Sequence, residues 1–185
     1  DALPILFAQV SADINGPIDG LVYAVGTINL KSIRRLSAED FLNYYKVNAM
    51  GAALAIQAAL PQLKKADGHP SIVLYSSVAA QQGFNFHASI GMAKGAIDGL
   101  VLSLAAELAP KIRINAIAPS LTKTPLAAGL LKSEAAEKSL ADLHPLGRLG
   151  NAADIASLTS FLLSEEAGWI TGQTFGVDGG RSTLR

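Results

Sequence analysis

Short apolar runs and longer mixed stretches alternate along the chain, and this alternation predicts most of its elements. Gly20-Leu21-Val22-Tyr23-Ala24-Val25 is apolar without interruption and closes on Gly26, the pattern of a strand buried on both faces. Ser71 to Tyr75 and Ile112 to Ala118 read as two more buried strands, the second stopped by Pro119. Gln173 to Val177 is a last strand before Asp178-Gly179-Gly180. Helices lie between them. Asp1 caps a first helix with Pro4 in its opening turn, running to about Ile14 and stopped by Asn15-Gly16-Pro17. Ser37, with Asp40 three residues on, resembles a capping box and opens a long helix to about Lys65. Another helix runs from about Ala88 to Leu108 and ends at Pro110, and Asn151 with Asp154 caps one more to about Leu163. Ser76 to His87 is a polar, glycine-containing loop. Residues 120–150 are irregular, with short helical pieces around Leu126 to Leu131 and Glu134 to Leu140.

Buried strands that alternate with helices imply right-handed crossovers and a doubly wound parallel sheet, an α/β fold. Ligands of such sheets sit at the carboxyl ends of the strands, near a switch in strand order. The loops after Val25, Tyr75 and Ala118 therefore share one edge, and any chemistry belongs there. A length of 185 residues, with no repeat, low-complexity tract or linker, sets the expectation of a single domain over 1–185.

Composition narrows the partners. Half of the residues are hydrophobic, and 15 basic residues balance 15 acidic ones without a basic run. Neither nucleic acid nor an anionic membrane is expected as a partner. Apolar stretches such as Gly51 to Leu60 are too short to span a bilayer. Asp1 to Val10 shows no charged leader ahead of its apolar residues. Cysteine is absent, which excludes disulfides, thiolate metal sites and a cysteine nucleophile, and fits a cytoplasmic protein. No metal site is expected.

Three stretches carry a resemblance. They are Ser71-Ile72-Val73-Leu74-Tyr75-Ser76-Ser77-Val78-Ala79, Ile112-Arg113-Ile114-Asn115-Ala116-Ile117-Ala118-Pro119, and Trp169-Ile170-Thr171-Gly172-Gln173 followed by Val177-Asp178-Gly179-Gly180. In their order and spacing the chain resembles the short-chain dehydrogenase/reductase family from about Pro17 to Gly180, a Rossmann-like fold. The resemblance implies hydride transfer between NAD or NADP and a carbonyl or alcohol on a small-molecule substrate. It implies that Asn48 holds a helix kink and a proton-relaying water, that Ser77 bonds the substrate oxygen, and that Lys94 binds the nicotinamide ribose. Thr124, five residues after Pro119, matches a threonine that contacts the carboxamide. Ala24, Val25, Gly26, Pro119 and Ser120 complete the implied cofactor surface. A homo-oligomer, dimer or tetramer, is also implied, and the small residues Gly91, Gly95, Gly99 and Ser103 on one helix face would permit close packing.

The same resemblance shows departures. The family's tyrosine lies four residues before its lysine, on the same helix face, and here that position is Ile90, thirteen residues after Ser77. A phenol can serve as general acid or base once a cation lowers its pKa, and isoleucine has no proton to give. His87, three residues earlier, is the candidate donor, because histidine suits proton transfer near neutral pH; its plainer role is a loop histidine bonding backbone. Tyr44, one turn before Asn48, is expected to pack its helix. Tyr23-Ala24-Val25-Gly26 stands where the family shows Asn-Asn-Ala-Gly, and Ser120 where glycine is common. No Gly-x-x-x-Gly-x-Gly occurs, so the expectation is a fold lacking its first strands and glycine-rich turn, roughly 50 to 60 residues. The strand from Leu21 is then expected at an unpaired edge. Leu126, Leu130 and Leu131 suggest an apolar substrate wall in a region, Leu121 to His144, with no distinctive polar constellation. Two readings stay open: an oxidoreductase with an altered proton donor, or a non-catalytic relative that keeps the fold as ligand sensor or oligomer subunit.

Overall fold

The computed structural model describes residues 2–184, so the capping role expected of Asp1 lies outside the described residues. Helix α1 (Ala2–Asp13) is followed by a turn at Asn15, whose φ is 52°. Strand β1 (Gly20–Tyr23) leads to α2 (Ala38–Tyr45), opened by the full Ser37–Asp40 capping box. A π-helical segment, Lys46–Met50, joins α2 directly to α3 (Gly51–Leu63). The single long helix expected to about Lys65 is therefore one helical rod with a π turn near its middle. Next come β2 (Ser71–Tyr75), a 3-10 turn at Val78–Ala80, and α4 (Ala88–Leu108). Strand β3 (Arg113–Pro119) is shifted by one residue from the expected range.

The irregular region holds more order than its sequence suggests. Strand β4 (Thr122–Lys123) pairs in parallel with β5 (Gly150–Asn151), and α5 (Glu134–Ala141) lies between them. The helix expected around Leu126 to Leu131 is only a 3-10 turn at Pro125–Ala127: Pro125 can open a helical turn and Ala127 is buried, but Leu126 and Leu130 stay exposed and give a longer helix no apolar face to bury. Helix α6 (Ala152–Leu163), capped by Asn151 and Asp154 as expected, and β6 (Thr174–Val177) complete the chain.

The main sheet is parallel throughout, in the order β1-β2-β3-β6. Alternate residues of its inner strands face opposite layers. Ile72, Leu74, Ile114 and Ala116 meet α3 and α4, while Val73 and Ile117 meet α6. Helices on both faces make this a Rossmann-like α/β sheet. Full burial of a side chain such as Ile72 or Leu74 contributes roughly 1.5–3 kcal/mol, so the two inner strands anchor the fold. β1 lies at the sheet edge expected of it, but its burial departs from expectation. It ends at Tyr23, pairs only with β2, and leaves Val22 37% exposed and Val25 59% exposed. Its apolar run reads as doubly buried, but an edge strand has a partner on one side only.

By length and composition α4 could cross a bilayer, contrary to the expectation that every apolar stretch is too short. In the fold its buried face, Ile97, Val101 and Ala105, packs on the sheet. Its span suits a core helix equally well.

Candidate active site

The ends of β1, β2 and β3 open on one edge, and a cavity of about 750 Å³ lies there. Ala24, Val25, Gly26, Asn48, Ser77, His87, Lys94, Pro119, Ser120 and Thr124 all line it. Residues spread over a hundred positions of sequence are thus collected at the strand ends, where parallel sheets hold ligands.

Lys94 reaches across from α4 and donates from Nζ to the Tyr75 carbonyl at 2.8 Å, leaving two N–H groups for a ligand. Burial brings its pKa down to about 8, against a weaker opposing pull from Asp98. Asn48 is 1% exposed, and its Nδ2 donates to the Tyr44 carbonyl at 3.0 Å. Its Oδ1 is buried with no partner among the described residues. At Gly26 a Cβ would stand 3.0 Å from that oxygen and 3.8 Å from Lys94 Nζ. A side chain there would therefore close the space in which an acceptor and an ammonium wait together. Nothing larger than glycine leaves that space open.

The π turn that carries Asn48 is held from the sheet. Tyr23 donates its phenol to the Val47 carbonyl at 2.7 Å. Burial raises the Tyr23 pKa, so the hydroxyl remains a donor at neutral pH. Gly51 gives the phenol room, since a Cβ there would overlap Tyr23 Oη. The sequence offered Tyr23 only as a lost asparagine; its partner lies 24 residues away and carries no side-chain signal.

Ser77 Oγ accepts from the Ala79 N–H at 3.2 Å, and its own proton has no acceptor among the described residues. It is free to donate to a substrate oxygen. Ile90 lies one turn before Lys94, 4% exposed, packed with Tyr44 and Ala93. Tyr44 donates to the Asn29 carbonyl at 2.9 Å and does not line the cavity, which fits the packing role expected of it. His87 Nδ1 stands 2.7 Å from the Asn85 carbonyl, so Nδ1 carries the proton and Nε2 is left without a partner among the described residues. Its ring lies 5.3 Å from that of Phe84, which lines the cavity, whereas Phe86 is exposed and does not.

The far wall corrects one expectation. The region Leu121 to His144 does hold a polar constellation: His144, 5% exposed, has Nε2 at 2.8 Å from Ser120 Oγ and Nδ1 at 2.9 Å from the Leu140 carbonyl. Both residues also line a second cavity of about 240 Å³ beside the first. Leu126 and Leu130 line the large cavity, and Leu131 does not. Several matching motif residues serve the frame instead. Arg113 donates to the Leu162, Ser164 and Ile170 carbonyls, and Asn115 ties β3 to residues 170 and 173. Asp178 accepts from the Gly180 and Ser182 N–H groups, in a turn where Gly179 and Gly180 both take positive φ.

The Lys94 shift gives a pH prediction with a definite sign. The unfolded chain keeps this proton up to the ordinary 10.5, the folded one only to about 8, so stability rises with pH between those values. Binding that needs the ammonium falls across the same window. Denaturant midpoints measured from pH 7 to 10 are expected to show this rise, and Lys94→Met to flatten it.

Comparison with known proteins places this geometry. A family model described as enoyl-(acyl carrier protein) reductase matches residues 1–182. The tropinone reductase homolog At2g29340 of Arabidopsis thaliana is 38% identical over 176 residues, covering 95% of this chain. The chain spans 57% of that relative's length. A short-chain type dehydrogenase/reductase from Mycobacterium ulcerans superposes with a TM-score of 0.90 at 30% identity, over 99% of this chain and 66% of the other. A gluconate 5-dehydrogenase from Burkholderia cenocepacia, solved with NADP and tartrate, gives 0.91 at 27% identity, over 99% and 71%.

Proposed function

The chain belongs to the short-chain dehydrogenase/reductase family, and from that premise we propose that its large cavity is the site of an oxidoreductase acting on a carbonyl or alcohol with NAD or NADP. One observation carries the reading: the unpartnered Asn48 Oδ1, the two free N–H groups of Lys94 and the bare backbone at Gly26 converge on one space. These donors and acceptors fit a nicotinamide ribose. Lys94 would hold its hydroxyls, Thr124 the carboxamide, and the backbone of Ala24 to Gly26 with Pro119 the flanking surface. When bound, the nucleotide supplies the hydride. Ser77 would donate to the substrate oxygen, and Leu126 and Leu130 would shield an apolar part of the substrate from water.

The proton cannot come from position 90, where the family resemblance implies a tyrosine and this chain has isoleucine. It comes from an imidazole of the cavity wall, where His87 and His144 both stand. A second reading, a non-catalytic relative, draws support from Ile90 itself, whose apolar side chain packs on Tyr44 without any trace of a polar role. Turnover decides between them. The protein, given reduced nicotinamide nucleotide and a panel of ketones and aldehydes, is expected to consume the nucleotide; neither binding nor turnover with any substrate would reject the enzyme.

The proposal includes a single domain over 1–185 and a homo-oligomer. In support of the oligomer, Gly95 and Gly99 of α4 face open space, and Met92 and Leu102 on the same helix are exposed. Gel filtration is expected to give a dimer or tetramer, and a monomer would reject this part.

A further inference from the structure

We propose that Ser120 and His144 are the acid pair of this site, delivering through the serine hydroxyl the proton that position 90 cannot; the assignment rests on the oxidoreductase reading of the cavity. The hydrogen bonds fix the arrangement. A backbone carbonyl only accepts, so His144 Nδ1, 2.9 Å from Leu140 O, carries a proton. In the neutral ring Nε2 is then an acceptor, and the Ser120 hydroxyl 2.8 Å away donates to it. Once the ring takes a second proton, Nε2 becomes a donor. Ser120 Oγ must then accept, and its own proton is released toward the cavity that it lines.

The position is right for the chemistry. Ser76 N donates to the Ile117 carbonyl at 2.8 Å, so β2 and β3 remain paired up to the edge from which Ser77 and Ser120 emerge. Ser77 and Ser120 thus follow the ends of adjacent strands, and both line the cavity. Ser77 would bond the carbonyl oxygen and Ser120 would protonate it. As the carbonyl carbon gains its hydride, the new alkoxide takes the Ser120 proton, forming the alcohol O–H bond. Ser120 takes the Nε2 proton in the same movement, and the neutral imidazole is reprotonated from cavity water through the same serine hydroxyl.

His87 is the weaker candidate. Its ring makes one hydrogen bond among the described residues and is half-buried, while His144 is held at both nitrogens and closed from solvent. An acid fixed beforehand needs no reorganisation when charge develops on the substrate. The charged groups that face His144 are Asp178, which couples to it electrostatically, and the Arg148–Asp154 pair on the smaller cavity; Arg181 lines the larger one. None of them makes a hydrogen bond to either ring nitrogen among the described residues, so the serine is the ring's outlet to the cavity.

The test uses His144→Gln, Ser120→Ala and His87→Gln beside the wild-type protein, with nucleotide affinity, turnover against pH, and nitrogen NMR of the imidazoles. Turnover is expected to fall roughly a hundredfold or more in His144→Gln and in Ser120→Ala, far out of proportion to any change in nucleotide affinity. Ser120→Ala leaves the imidazole in place, so it answers even if His144→Gln folds poorly. The NMR is expected to show a proton on His144 Nδ1 and a shift of Nε2 in Ser120→Ala. Loss of turnover in His87→Gln alone, or an Nε2–H tautomer at His144, overturns the assignment. A wild-type protein that binds no nucleotide overturns the oxidoreductase reading itself, and this outcome is distinct from a variant that binds and still turns over.

Discussion

In the Ser120→Ala protein, Ile90→Tyr is expected to raise carbonyl reduction by about a hundredfold, the range that a positioned general acid contributes. Positions 90 and 94 lie one turn apart on α4, so a phenol at 90 would share a face with the Lys94 ammonium. That ammonium exists below about pH 8 and would draw the phenol down from its usual value of about 10. Ile90 already lines the 750 Å³ cavity, so the larger ring can extend into it. Its loss from the packing around Tyr44 and Ala93 is expected to cost about 1–3 kcal/mol in stability. Nucleotide affinity should stay within about threefold, since the Lys94–Tyr75 and Asn48–Tyr44 hydrogen bonds that set the binding groups are left in place. Steady-state turnover against pH, with thermal melting of both proteins, checks all of this. In the wild-type background the gain should be smaller, because the serine–histidine pair already supplies the proton. Unchanged turnover with intact binding would mean that Ser77 and Lys94 are not arranged for the reaction.

Gly51→Ala is expected to be the most damaging small substitution. The added methyl would overlap the Tyr23 hydroxyl and stand 3.2 Å from the Lys46 carbonyl, with backbone on one side and a strand-anchored ring on the other. Overpacking of this kind costs about 1–3 kcal/mol, and loss of the Tyr23–Val47 hydrogen bond adds about 1. The lesion then passes to the site. The π turn places Asn48 between that bond and the Tyr44 carbonyl, so a displaced Tyr23 frees the amide to move away from Gly26. Urea unfolding should show a loss of about 2–4 kcal/mol, and Tyr23→Phe in the same background should recover part of it by removing the overlapping oxygen. A loss below about 0.5 kcal/mol would mean that the Tyr23 contact does not hold the turn.

Local chemistry made most of the frame legible. Capping boxes at Ser37 and Asn151, the apolar run of β2 and the proline that ends β3 speak in their own neighbourhoods, and the helices and strands follow them closely. What failed was non-local. Whether Leu21 to Val25 is buried depends on what lies beside it, and an edge strand has the same apolar run as a central one. Pro125 and Leu126 look helical until the chain around them offers no surface to bury. At the site, the spacing of Ser77 and Lys94 could be read from the chain because α4 and the β2 loop are neighbours in sequence. Ser120 and His144 lie 24 residues apart across α5, and neither residue alone hints at the other. A serine where glycine is common was the one visible sign.

If this cavity holds a nicotinamide nucleotide through Lys94, a fluorescence titration of the protein with NADPH and NADH will show it. Saturable binding of at least one nucleotide is expected, weakened by an order of magnitude or more in Lys94→Ala and declining above about pH 8 as the ammonium is lost. Binding that is absent, or equally strong in the variant, would contradict this expectation.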